Sequence, residues 1–128
     1  ILADQHSYDQ FHTHKDRIYR VQTKSVDGGW ANASSALPLG DELRRGYAGI
    51  ERTASLVRNI GGNAIYKEKV ASGGGYFADG ELFNVFDFRL DKGDPKTALQ
   101  NPFSLVISEE MAATLFGNND PLGKTVQF

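Results

Sequence analysis

The stretch Tyr8–Val21, YDQFHTHKDRIYRV, narrows what this chain can fold into more than any other. A polar, helix-compatible lead runs through a basic, histidine-bearing joint into an alternating segment. There Ile18 and the aliphatic stem of Arg20 point opposite to Tyr19 and Val21. Such a junction is a hinge between an entering helix and a sheet. The lead, Leu2–Phe11, carries Asp4, Gln5, His6, Asp9 and Gln10, and a helix so short and polar is marginal alone. Ile1-Leu2-Ala3 reads as the tail of a longer apolar segment, so the chain is expected to be a piece cut just after one. No run within it reaches the roughly 20 apolar residues of a membrane span.

A chain of 128 residues is about one domain long. Its net charge of −2, with Lys and Arg scattered, supplies no basic stripe to track phosphates and excludes nucleic acid as an expected partner. With no cysteine there is neither a disulfide framework nor a thiolate site.

Along the chain, Arg17–Val26 and Trp30–Ala36 are predicted strands joined by a hairpin turn at Asp27-Gly28-Gly29. Pro38 opens a helix whose Leu39, Leu43 and Tyr47 recur at helical spacing. An Asp41–Arg45 pair should sit along it, with Gly46 or Gly49 as its left-handed stop. Ile50–Ile60 is a long strand candidate that Gly61-Gly62-Asn63 turns back into 64–72. There Ile65, Lys67 and Lys69 alternate with Tyr66, Glu68 and Val70 in the manner of a solvent-facing ribbon. Gly73-Gly74-Gly75 then breaks the chain. Asp79 is a candidate cap for a short helix over Gly80–Phe86, and Leu82, Phe83, Val85, Phe86 and Phe88 are the expected core. Asp94-Pro95 caps a helical turn through Leu99, and Phe103–Ile107 reads as a compact buried strand. Ser108 caps a last helix with Glu109 and Glu110 at its positive end, Met111, Ala112, Leu115 and Phe116 on its apolar face, and Gly117 as its stop. Thr125–Phe128 begins a further strand.

Chemistry-bearing motifs are scarce. GNNDPLGKT, from Gly117 to Thr125, resembles a phosphate loop, but five residues separate Gly117 from Gly123 where four are needed. A helix precedes it and a strand follows, the reverse of the order that aims a helix N-terminus at phosphate. His6, His12 and His14 lack a carboxylate or thiol partner at metal-site spacing. The pairs Asp41/Glu42 and Glu109/Glu110 sit in first helical turns, where the helix dipole accounts for them. No nucleophile elbow surrounds Ser34, Ser35, Ser104 or Ser108. Catalytic, cofactor and metal residues are therefore expected to be none. The candidate partner contacts are Ile65 and Tyr66 on the ribbon and Trp30 on the first hairpin.

Taken in order, Tyr8-Asp9-Gln10-Phe11-His12 and Asp16–Val21, Phe83-Asn84-Val85-Phe86 with Gly93-Asp94-Pro95 and Ala98-Leu99, Ser108–Ala112, and Leu115–Lys124 resemble the MacB-like periplasmic core domain. This is the extracytoplasmic domain of FtsX-type ABC transporter permeases, in the form common among Bacteroidetes. The resemblance covers nearly the whole chain. It implies an α+β fold of mixed and antiparallel sheets with a few short helices, a porter-like part and a more variable part. Residues 1–11 would end a stalk helix running on from the first membrane helix. Family members continue past the equivalent of Lys124 through further strands to the second membrane helix. The resemblance implies a non-catalytic periplasmic domain of an inner-membrane permease that couples cytoplasmic ATP hydrolysis to export or release of a peptide, lipoprotein or small molecule, or to a periplasmic partner. It needs no cofactor of its own, ATP being used by a separate nucleotide-binding subunit or domain. The other implied partners are a second permease copy and an adaptor or substrate protein. A ligand-binding sensor domain with its pocket near Trp30 is the alternative reading, and a small hydrolase a third.

Overall fold

The computed structural model describes residues 11–128, apart from the side chains of Asn59 and Ile60. The fold is α+β, with two separate two-stranded antiparallel sheets and a few short helices. The chain divides into two compact units, Ile1–Ser55 with Glu81–Phe88 and Leu56–Gly80 with Arg89–Phe128. The stalk-end helix expected over residues 1–11 lies outside the described residues except for Phe11, which stands in a turn.

In the first unit the joint tightens into a 3-10 turn, Lys15–Arg17, and Arg17 pairs with Glu51 at 2.6 Å. The two strands predicted here shrink to β1 (Thr23–Lys24) and β2 (Ala31–Asn32), paired Thr23 to Asn32 and Lys24 to Ala31. The hairpin turn between them falls where the sequence puts it, with Gly28 at φ 78°. The ladder stops short because side chains take over its acceptors. The Arg20 guanidinium donates to the Ala33 carbonyl at 3.0 Å and the Thr23 hydroxyl to the Ser34 carbonyl at 2.7 Å.

Helix α1 (Leu39–Gly46) starts behind Pro38, half-buries Leu39 and Leu43, and leaves Tyr47 exposed beyond its end. Its ion pairs are Arg44 with Asp41 and Arg45 with Glu42, both one turn apart, in place of the expected Asp41–Arg45 pair. Neither Gly46 nor Gly49 adopts positive φ; the helix ends as Tyr47 turns extended. The α2 turn (Leu82–Val85) is shorter than predicted and begins behind Glu81, not Asp79. Arg52 holds the Glu81 carboxylate at 2.8 Å.

The second unit is built on a ribbon of β3 (Leu56–Tyr66) and β4 (Lys69–Ala78). Gly61-Gly62-Asn63 is not its turn, and Gly73-Gly74-Gly75 does not break it. Gly61 faces Gly74 and Gly62 faces Gly73 within the ladder, and the chain reverses at Lys67-Glu68. Burial sets this register. Ala64 pairs with Ala71, the two are 0% and 7% exposed, and α3 (Glu109–Phe116) lays Leu115 and Phe116 over them. A one-residue slip would put the two alanines on opposite faces of the ribbon and turn one of them to solvent. Tyr66, Ile107, Met111 and Val126 pack around this centre. Gln127 exchanges two backbone hydrogen bonds with Ile65, at 2.7 and 3.0 Å, so the last predicted strand adds one bridge to the free edge of β3.

The core therefore lies under α3 and not in the Leu82–Phe88 cluster, whose Leu82, Phe83, Val85 and Phe86 are half-buried and whose Phe88 is exposed. The apolar face predicted for α3 is the one it uses. Ser108 Oγ accepts from the Met111 N–H at 3.2 Å, and Gly117 ends the helix at φ 61°. Phe103–Ile107 is not a buried strand. Pro102 and Phe103 form the corner of a turn closed by the Ser104 N–H on the Asn101 carbonyl, which puts Phe103 at φ 62° and fully in solvent.

Gly73 sits beneath α3, and a Cβ there would come 2.6 Å from Met111 Cε. Met111 Cε is the free end of a flexible side chain and can move aside, so Gly73→Val should cost only about 1 kcal/mol, the low end of the overpacking range. Denaturant unfolding of a double-mutant cycle should show most of that cost disappearing on a Met111→Ala background. Equal costs on both backgrounds would mean that the contact does not set the approach of α3.

Candidate functional site

The ribbon tip and the loop after α3 enclose a recess of about 420 Å³ lined by Tyr66, Lys67, Phe116, Asn119, Asp120, Leu122 and Lys124. Each wall has a local cause. The two-residue reversal between the paired Tyr66 and Lys69 places Lys67 at φ 56°, a conformation that costs an L-residue about 1–2 kcal/mol. Its ammonium lies 5.5 Å from the centroid of the Tyr66 ring, within cation–π range. The Tyr66 ring in turn packs on Phe116 with centroids 4.5 Å apart, giving the recess an aromatic floor.

The opposite wall is the GNNDPLGKT segment. Past the Gly117 stop, the Asn119 backbone N–H and side-chain amide both donate to the Phe116 carbonyl, at 3.1 and 3.0 Å. Asp120 Oδ1 accepts from the Leu122 N–H at 3.4 Å and from Lys92 Nζ at 3.3 Å. The Leu122 N–H first, and then Lys92, hold the Asp120 carboxyl below its ordinary range. Lys92 thus neutralises the acid lining the recess. Among the described residues neither Lys67 nor Lys124 has a carboxylate partner at salt-bridge distance. The recess is left cationic over an aromatic floor.

Of the candidate contacts, Ile65 and Tyr66 are neighbours in the chain but face opposite ways. Ile65 points outward, 38% exposed, across from the equally outward Val70, whereas Tyr66 is half-buried against the core with part of its surface in the recess. Trp30 belongs to the other unit and is 58% exposed on its hairpin. The sequence reading missed the loop as a site wall. Its strongest signal was the pair of lysines flanking turn positions, Lys67 and Lys124, which no single-segment motif connects.

His12 is buried in the first unit, its ring edge-on to Phe86 and Phe88 and beside Phe11. Its Nδ1 accepts from the Asp87 N–H at 3.0 Å, which assigns the ring proton to Nε2. Thr13 N–H donates back to Asp87 Oδ2, and this bond leads in lowering the Asp87 carboxyl. His12 is therefore a packed, hydrogen-bonded side chain. Among the described residues no three His, Cys, Asp or Glu side chains gather as a metal site. Ser108 Oγ is engaged as a helix cap.

A sequence model of one family, described as the MacB-like periplasmic core domain, matches residues 3–128. No curated protein and no solved structure matches the chain. Among the described residues no helix is long and apolar enough to cross a membrane.

Two expectations follow from the recess. Lys67→Gly should relieve the strained turn and raise stability by about 0.5–1 kcal/mol in denaturant unfolding, and a loss instead would show that the Lys67–Tyr66 contact outweighs the strain. Asp120 should titrate by NMR below the ordinary aspartate value of 3.8, and Lys92→Gln should move it upward. Because the folded carboxyl is the lowered one, the stabilisation is present above about pH 4 and is lost as pH falls through the folded value. An Asp120 midpoint unchanged by Lys92→Gln would contradict the pairing.

Proposed function

Because this chain belongs to the family of MacB-like periplasmic core domains, the periplasmic domains of a family of ABC transporter permeases, we propose that it is a mechanical coupling element without chemistry of its own. In this reading a separate nucleotide-binding subunit or domain hydrolyses ATP and moves the membrane helices. The entering N-terminal segment then displaces the periplasmic body, which exports or releases a peptide, lipoprotein or small molecule, or hands the motion to a partner. A second permease copy and a periplasmic adaptor or substrate protein complete the assembly. The outward Ile65 and Val70 pair and the exposed Trp30 are the surfaces offered to them.

The observation that supports coupling is how the entry segment is fastened. A lever transmits displacement only if its attachment is stiffer than the load. Phe11, His12 and Thr13 are held at three points: a ring contact with Phe88, the Asp87 N–H on His12 Nδ1, and the Thr13 N–H on the Asp87 carboxylate. These contacts join residues 74 or more positions apart, so motion at the joint reaches the segment after α2 directly. In energetic terms the ATP state must favour one of two arrangements of the domain.

The test is hydrogen exchange on the full-length permease with its ATPase, with and without ATP. ATP should change amide protection at residues 12–20 and 82–88. The His12→Ala/Asp87→Ala variant should hydrolyse ATP within about twofold of the parent while losing that change. A full-length protein that recruits no ATPase, or exchange indifferent to ATP, would sink the proposal.

A further inference from the structure

Lys67 stands at a turn position that a glycine would occupy without strain, yet the chain places there a long cationic side chain that lines the recess. Strain held in a folded chain is a pointer to function when the strained residue faces a site. Here a second observation agrees with it. Lys124 lines the same recess, also with no carboxylate at salt-bridge distance among the described residues; it acts on Asp120 only through space, as the weakest of that group's neighbours, while Lys92 and the Leu122 N–H engage Asp120 directly. Two ammonium groups are therefore left to attract an anion. Beneath them the Tyr66 ring, backed from the core by the buried Phe116, and the exposed Leu122 supply an apolar edge in a mostly polar recess.

We infer that this recess binds an acidic peptide segment of a protein partner, with a carboxylate taken by Lys67 and Lys124 and an adjacent apolar side chain laid against Tyr66 and Leu122. Charge complementarity selects the peptide and speeds its encounter, and the aromatic floor separates it from a bare anion. The volume of about 420 Å³ suits one or two side chains, not a folded domain, so the segment enters as an extended or loop-borne piece. The inference rests on the proposed periplasmic role only for where such a peptide would come from.

The test is fluorescence anisotropy of the 128-residue chain with a labelled Glu-Glu-Leu-Glu-Glu peptide, against the same peptide with Gln in place of Glu. Saturable binding is expected for the acidic peptide, weakening severalfold as salt rises from about 50 to 300 mM. Lys67→Gly/Lys124→Gln, which keeps the turn residue permissive, should weaken it about tenfold while circular dichroism remains unchanged. Lys96→Gln, outside the recess, should leave it alone. Equal affinity in the double variant, equal binding of the Gln peptide, or displacement by inorganic phosphate as effectively as by unlabelled peptide would overturn the inference. So would concentration-dependent self-association that blocks the peptide, since a second copy would then be the occupant. Failure here leaves the ATP-dependent exchange result standing, and failure there leaves peptide binding standing, so the two ideas fall separately.

Discussion

Ala64 facing Ala71, with Leu115 and Phe116 laid across both, is the contact on which the second unit depends. Two small side chains let a helix approach a two-stranded ribbon closely, and their burial leaves only one register in which the apolar positions are covered. Full burial of a leucine such as Leu115 contributes about 2–3 kcal/mol, a large share of what so small a core can supply. Everything nearer the tip follows from that register. It places the reversal at Lys67-Glu68, turns Tyr66 inward onto Phe116, leaves Ile65 and Val70 outward, and brings Lys67 across from the loop that carries Asp120 and Lys124.

The parts of this fold that were legible in the sequence are those settled within a few residues. Ser108, Glu109, Glu110 and Gly117 define α3 because a cap, a dipole and a positive-φ stop act locally, and the Leu115 and Phe116 face follows from helical spacing. Asp27-Gly28-Gly29 is read correctly for the same reason. The errors come where distant residues decide. Glycines at 61–62 and 73–75 resemble turns in isolation, but the alanine pair and Met111 fix them inside the ladder. The aromatic run near Phe86 resembles a core, yet it packs chiefly on His12 and Phe11 and stays half-exposed. Phe103 reads as buried until Pro102 is seen to make it the corner of a turn. The recess was hidden because its two walls lie about fifty residues apart.

The first unit solves a different problem with the same economy of contacts. Its strands are too short to hold a sheet by ladder bonds, so Arg20 and Thr23 reach across to carbonyls and Arg17, Arg52 and their acids fasten the surface. Exposed ion pairs of this kind contribute only about 0.2–1 kcal/mol each. The buried element that remains is His12, the one polar side chain in the interior of the described residues, and its partner is a backbone N–H that no substitution except proline removes.

Two successive rungs of the ribbon, Gly61 with Gly74 and Gly62 with Gly73, carry no side chain on either strand. Cross-strand side-chain pairs stiffen a hairpin, and where they are missing torsion is resisted only by amide bonds and by the Met111 methyl lying over Gly73. The ribbon is thus a shaft with a compliant collar at mid-length. A tug at the tip would be absorbed there as twist before it reached Leu56 and Ala78, much as a soft coupling protects a gearbox from a jolt.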